Sequence, residues 1–275
     1  MITRIACFQG PESHDSANGN LALLGRLAAR ASDGGAKLLV CPEMFLTGYN
    51  IGAGTVGRVA EAIDGASIVA ASAIARAHKI SIAFGYPERS GLGNTYNSMV
   101  FIGSDGKILS RYRKTHLFGK FDRQAFSEGT EEPDVFEWNG MQVGMLICYD
   151  VEFPETARIL AQFGADLVVV PTALMRPFEI IARSIVPARA YENQVFIAYA
   201  NRCGREGEYE YCGLSCVVAP DGCDLARAGR HEEMIFADID PQKLRDSRRV
   251  HSHLRDRRPE LYGVLVSGAE NRFKL

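Results

Sequence analysis

Apolar and polar positions alternate across residues 2–8 with the period of a strand. After a polar loop, Leu21, Leu24, Leu27, Ala28 and Ala31 recur at helical spacing and predict a helix over 20–32, stopped by Gly34-Gly35. Residues 38–41 form a short uninterrupted apolar strand, closed by Pro42, which has no N–H to give a ladder. A Gly-rich loop then leads to a helix over 65–78 and a strand over 80–85. The segments 96–102 and 107–113 read as a hairpin turning at Ser104-Asp105-Gly106.

The second half repeats this rhythm. Residues 141–148 read as an apolar strand followed by a helix over 154–163. A strand over 167–170 is closed by Pro171, a helix covers 179–192, and strands follow at 195–200, 215–219 and 234–239. Strands alternating with helices of this length, interrupted by hairpins, argue a two-layered α/β protein with a mixed sheet. Eight clean βα units, as in a TIM barrel, are not there. Neither G-x-G-x-x-G nor G-x-x-x-x-G-K-[ST] occurs. No repeat or linker divides the 275 residues, so one domain over 1–275 is expected.

Composition narrows the partners. Lys and Arg number 31 against 33 Asp and Glu, a net charge of −2, so nothing supports a nucleic-acid partner. No stretch of 18 apolar residues predicts a membrane span, and no basic leader precedes the first strand. Seven cysteines, an odd number, suit a reducing cytoplasm better than a disulfide framework. Cys203, Cys212, Cys216 and Cys223 lack a tight Cys-x-x-Cys pair, and read as small hydrophobes, with Cys212 and Cys216 on one strand face, and not as a zinc site. Across 243–258 seven basic residues are interspersed with Asp246 and Asp256, which fits a salt-bridged surface or an oligomer contact.

Three unusual residues lie at the carboxyl ends of apolar strands, where open α/β proteins bind ligands: Glu43, Lys114 and Cys148. A cysteine between a strand and a helix sees free backbone N–H groups and a helix dipole, which lower its pKa. A thiolate, a carboxylate that moves protons and an ammonium that holds an oxyanion make a hydrolytic unit. His116 is the histidine near these segments and offers a competing Cys–His dyad. Each residue also has a plainer reading: core cysteine, turn-capping glutamate, surface lysine.

The segments Cys41-Pro42-Glu43-Met44-Phe45-Leu46-Thr47-Gly48-Tyr49, Tyr112-Arg113-Lys114-Thr115-His116-Leu117-Phe118 and Leu146-Ile147-Cys148-Tyr149-Asp150-Val151-Glu152-Phe153-Pro154-Glu155 resemble, in order and spacing, the three signature blocks of the nitrilase superfamily, the carbon–nitrogen hydrolases. The resemblance implies an α-β-β-α sandwich with mixed sheets, whose subunits pair into a homodimer or larger homo-oligomer, with 240–275 as a C-terminal extension at the interface. It places a Glu–Lys–Cys triad on Glu43, Lys114 and Cys148, and oxyanion contacts on Lys114 and the Tyr149 N–H, with no cofactor and no metal. Where the family usually carries a second glutamate, seven residues before Gly129, this chain has Asp122, one methylene shorter. Either the loop moves inward or the role passes elsewhere.

The short chain leaves no room for a synthetase domain and points to amide hydrolysis, with nitrile hydrolysis and decarbamoylation as alternatives. Relatives that remove carbamoyl groups hold an arginine four residues after the cysteine; here Glu152 stands there, a charge that attracts an ammonium and repels a carboxylate. With Tyr211-Cys212-Gly213, the motifs are similar to the 5-aminopentanamidase group, which acts in lysine breakdown, and to stereoselective amidases. The expected substrate is a short primary amide with an amino group at its far end. The stretch Thr172-Ala173-Leu174-Met175-Arg176-Pro177-Phe178 is expected to form part of the pocket wall, with Thr172, Ala173 and Phe178 as substrate contacts. Asn201 and Tyr199 are further candidates, and Glu192 lines the pocket or pairs with Arg189.

Overall fold

The computed structural model describes residues 1–11 and 16–263. The chain opens with β1 (Thr3–Gln9) and α1 (Ala17–Asp33), whose Ser16 cap accepts from the Gly19 N–H at 3.2 Å. It continues through β2 (Leu38–Val40), α2 (Ala53–Val59), α3 (Ala66–His78), β3 (Ser81–Arg89), β4 (Thr95–Ile102), β5 (Ile108–Arg113) and α4 (Gly119–Ala125). Strands β1, β2 and β3 run parallel; β4 and β5 return as antiparallel hairpins. The segment 48–64, read from sequence as loop, thus contains α2: its glycines mask a one-sided apolar pattern in which Val56 alone is fully buried.

The second half contributes β6 (Val135–Trp138), β7 (Met141–Met145), α5 (Pro154–Gln162), β8 (Leu167–Thr172), α6 (Val186–Asn193) and β9 (Phe196–Asn201). A separate hairpin, β10 (Cys203–Glu206) with β11 (Tyr209–Cys212), precedes β12 (Cys216–Val218), β13 (Asp224–Arg227), β14 (Glu233–Ile239) and α7 (Pro241–Val250). Cys212 and Cys216 therefore sit on different strands, both buried, and do not share one strand face. Pro171 does not close β8 but pairs with Ala200 inside it. The Val169 carbonyl faces β7, where Leu146 donates to it, so Pro171, two residues on, turns its missing N–H past the end of that neighbour. The helix expected over 179–192 begins as a wide turn, Ile181–Ile185, in which the Val186 N–H reaches back to the Ile181 carbonyl; Pro187, with no N–H to donate, follows directly.

In place of one mixed sheet there are two of six strands, ordered β14-β1-β2-β3-β4-β5 and β13-β12-β9-β8-β7-β6. Their facing sides share one core: Ile5, Val40, Ala83 and Phe101 of the first meet Val143, Val169 and Ile197 of the second. Phe101 stands edge-on to Phe136 and Trp138 at 5.0 and 5.7 Å, and the Trp138 indole N–H crosses to the Ser81 hydroxyl at 2.9 Å. A second core lies between the first sheet and α1 and α3, through Leu24, Ala28, Ile68, Ala71 and Phe84. On the other side α5 and α6 cover β7–β9 with Ala157, Leu160, Val186 and Ala190. The layers are therefore α-β-β-α, a mixed α/β architecture.

Helix α7 is tied down by charge: Arg248 reaches Asp166 at 3.0 Å and the Ala165 carbonyl at 2.7 Å. Residues 264–275, the end of the extension expected at a subunit interface, lie outside the described residues. Among the described residues no helix is long and apolar enough to cross a membrane.

Candidate active site

Strand β2 delivers Glu43 through a tight turn. The Cys41 N–H continues the ladder onto Ala83, then Pro42 ends it, and Met44 takes a left-handed φ of 50°. This turn presses on β3 at Gly85, where a Cβ would lie 2.5 Å from the Met44 nitrogen and 2.8 Å from the Glu43 Cα. Strand β5 delivers Lys114, whose backbone is pinned on both sides, its N–H to Asn97 and its carbonyl to the Gly129 N–H, both 2.8 Å.

Glu43, Lys114 and Asp122 are wholly inaccessible to solvent. Lys114 Nζ donates to Glu43 Oε1 and to Asp122 Oδ2, each at 2.8 Å. Asn97 Nδ2 also reaches Glu43 Oε1 at 2.7 Å, whereas Glu43 Oε2 is buried without a partner among the described residues. Asp122, buried on α4, thus reaches the lysine directly despite its shorter side chain. Its other ligands are the Tyr49 hydroxyl at 2.7 Å and the Phe118 N–H at 3.0 Å. Burial raises the Glu43 carboxyl above its ordinary range, against the pull of Lys114. Burial works against the Lys114 charge too, but Asp122 and Glu43 together hold its ammonium well above the usual lysine range.

Cys148 follows β7 with a left-handed φ of 47° and opens a single 3₁₀ turn, Cys148–Glu152, ahead of α5. The expected lowering of its pKa by a helix dipole is not what the surroundings give. Burial and the nearby Glu43 push the thiol up, opposed by Lys114 and the Ala173 N–H. Burial thus shifts both the Cys148 thiol and the Glu43 carboxyl upward, toward their protonated forms. No backbone carbonyl among the described residues accepts the Tyr149 N–H.

A Cys–His dyad does not form. His116 Nδ1 lies 3.0 Å from Asp150, and its ring stacks on Phe153 at 4.0 Å. Asp150, buried two residues after Cys148, accepts from Ile147 N–H on the cysteine's side and from Tyr112 OH, Thr115 OH and His116 N–H on the lysine's side, at 2.9–3.1 Å. One carboxylate thus fixes the turn that carries Cys148 against the strand end that carries Lys114.

Cys148 lies in a cavity of about 250 Å³ lined by Phe118, Tyr149, Glu152, Ala173, Leu174, Met175 and Phe178. Glu152 and Ala173 are where the sequence pointed, and Phe178 stands at the mouth, 41% exposed. The Glu152 carboxylate has no hydrogen-bond partner among the described residues. Burial raises its pKa against the pull of Lys114 and Arg189. Arg189 does not neutralise it, since its guanidinium grips the backbone carbonyls of Val151 and Glu152 and pairs with Glu192 at 3.0 Å. Thr172 and Asn201 do not line the cavity, contrary to expectation. Thr172 is sealed, with its hydroxyl on the Val170 carbonyl. Asn201 holds the wall from behind, accepting from the Leu174 N–H at 2.7 Å and donating to the Gly213 carbonyl at 2.6 Å. Tyr199 is likewise fully buried.

Leu174 and Met175, within the stretch expected to form the wall, do line the cavity, whereas Tyr49, Asn97, Asp150 and Phe118 were given no role from sequence. Asn97 alone left a signal, a polar amide inside a strand pattern that disfavours it.

A two-sheet sandwich with a buried carboxylate–ammonium pair beside a cysteine defines a thiol hydrolase, and the comparisons with known proteins agree. The carbon–nitrogen hydrolase family model matches residues 4–249, and the chain belongs to that family. It is 49% identical to a Pseudomonas protegens protein described as "Hydrolase in pqqF 5'region", over 95% of this chain and 91% of that one. It is 37% identical to an (R)-stereoselective amidase of a Pseudomonas species, over 92% and 90%. Among solved structures it is similar to a mutant of the amidase from Nesterenkonia sp. AN1 showing covalent addition of the acetamide moiety of fluoroacetamide at the active-site cysteine. That likeness has a TM-score of 0.83 and 34% identity and covers 95% of this chain and 96% of that one.

Proposed function

We propose that this chain is an amidase that hydrolyses a short primary amide with an amino group at its far end, such as 5-aminopentanamide, to the carboxylate and ammonia. Glu43 takes the Cys148 proton as the sulfur attacks the amide carbon. The oxyanion is held by Lys114 Nζ and the Tyr149 N–H. Glu43 then returns the proton to nitrogen, the C–N bond breaks and ammonia leaves a thioester. Water, deprotonated by the same carboxylate, breaks the C–S bond and restores the thiol. Asp122 holds Lys114 in place.

The observation that carries the substrate reading is the Glu152 carboxylate, unbonded and half-desolvated in the same small cavity as Cys148. A cationic tail supplies the partner it lacks, and aromatic rings at Phe118, Tyr149 and Phe178 flank the path to it. A second reading is a stereoselective amidase, favoured by the 37% identity to an (R)-stereoselective amidase, for which a cyclic or α-amino-acid amide with its amine on Glu152 is the candidate substrate.

Ammonia release from 5-aminopentanamide, pentanamide, glutaramate and prolinamide separates the two. Cys148→Ala abolishes all turnover. Glu152→Gln lowers kcat/KM for the amino-bearing amide about 10–100-fold, the worth of one desolvated charge pair, and that for pentanamide less than about threefold. Equal losses on both amides overturn the role given to Glu152.

A further inference from the structure

The three-membered cluster holds two carboxylates and one ammonium, so its chemistry depends on which carboxylate receives the proton. The two are not equivalent. Both oxygens of Asp122 are taken: Oδ2 by Lys114 Nζ and the Phe118 N–H, Oδ1 by the Tyr49 hydroxyl at 2.7 Å. Among the described residues both donors to Glu43 fall on Oε1, and Oε2 is bare. Without the Tyr49 hydroxyl, Asp122 would also have a bare oxygen.

We propose that Tyr49 is a positioning residue that blocks the open oxygen of Asp122, so that Glu43 is the one carboxylate of the pair able to carry the travelling proton. The inference rests on the reading of Glu43 as base.

Tyr49 is built for the task. Its N–H is fixed on the Glu206 carboxylate at 3.0 and 3.2 Å, and its ring leans on Phe121 and Tyr209 at 5.4 and 6.3 Å. Glu206 is held in turn by the Tyr211 hydroxyl at 2.6 Å, with Arg202 at 4.0 Å. A chain of contacts therefore runs from the β10–β11 hairpin through Tyr49 and Asp122 to Lys114. Burial and the negative charge of Asp122 keep the phenol protonated, so it remains a donor at every working pH. The titratable and charged groups around Asp122 are Glu43 and Tyr49 from the β2–α2 connection and Lys114 at the end of β5. Glu206, Tyr209, Tyr211 and Arg202 stand on the hairpin side, Cys148 and Glu152 on the nucleophile turn.

The test is the pH profile of amide hydrolysis by wild type, Tyr49→Phe, Glu206→Gln and Cys148→Ala, with the rate of Cys148 alkylation by fluoroacetamide as a second readout. Tyr49→Phe keeps the ring and removes the donor. Both carboxylates then compete for the proton, so kcat falls about 10–100-fold with KM within about threefold, and the acid limb of kcat/KM moves to higher pH. The alkylation profile shifts the same way. Glu206→Gln, which loosens Tyr49 from its backbone end, shifts both in the same direction by less, and decides the question if Tyr49→Phe does not fold. Unchanged kcat and acid limb in the folded variants, with Cys148→Ala inactive, overturn the role of Tyr49 alone. Hydrolysis surviving in Cys148→Ala overturns the proposed function instead.

Discussion

Gly85 lacks a side chain because the backbone of Glu43 occupies that space, with the Met44 nitrogen only 2.5 Å from where a Cβ would stand. The obstruction is backbone, which cannot swing aside as a long side chain can. Gly85→Ala therefore displaces the Glu43 turn. We expect a stability loss of about 1–3 kcal/mol, the usual cost of overpacking. Hydrolysis should fall about 100-fold or more, as a small misplacement of a reacting group costs. Thermal melts and ammonia release check the two separately, and an active Gly85→Ala variant would show that the turn tolerates movement. Glu43 and Cys148 were legible in the sequence because each follows an apolar strand, where a charged or nucleophilic residue stands out. Lys114, next to Arg111 and Arg113 on a half-polar strand, was legible through the motif around it. Tyr49 and Asp150 were not: an aromatic in a loop and an acid in a turn look ordinary until the fold brings Asp122 to one and Tyr112 to the other.

At the scale of elements, the β3–β5 hairpins are locked by Glu88, buried on β3. It accepts from Ser98 on β4 and pairs with Arg111 and Arg113 on β5. Burial alone would raise its pKa, but the hydrogen bonds from Arg113, Ser98 and Arg111 outweigh it and lower the carboxyl below its ordinary range. A lowered folded pKa gives stability that is present above the unfolded value and lost as pH falls through the folded one. Glu88→Ala leaves Arg111 and Arg113 with Glu131 as their remaining shared carboxylate and the Ser98 hydroxyl without its acceptor, and should cost about 1–3 kcal/mol near neutrality. The gap to wild type should narrow between about pH 5 and pH 3, measured by urea unfolding. A pH-independent gap would mean that packing, not charge, sets the loss. Long one-sided elements such as α1 and α3 were readable from their apolar spacing. Strands β6 and β13 were not, since edge strands with half-exposed faces carry no alternation to detect, and α7 buries only Leu244 and Ser247.

The whole molecule is held by the core that both sheets share. Phe101 from the first sheet meets Phe136 and Trp138 from the second, and Trp138 is the single tryptophan. Phe101→Ala should lower stability by about 3–5 kcal/mol. Tryptophan fluorescence and far-ultraviolet dichroism should still fall together on heating, because neither sheet has its inner face buried without the other. Separate transitions would show that the halves melt independently. The split into two sheets was hidden from the hydrophobic pattern: a strand buried on both faces reads the same whether a helix or a second sheet covers it. A last consequence concerns what leaves. Two fixed anions around one cation give the centre a spare negative charge, which a neutral amide enters without penalty. The acid made there is born as an anion facing that charge, while an amino group at its far end would stay on Glu152, so turnover itself loosens the guest at the end where the chemistry took place.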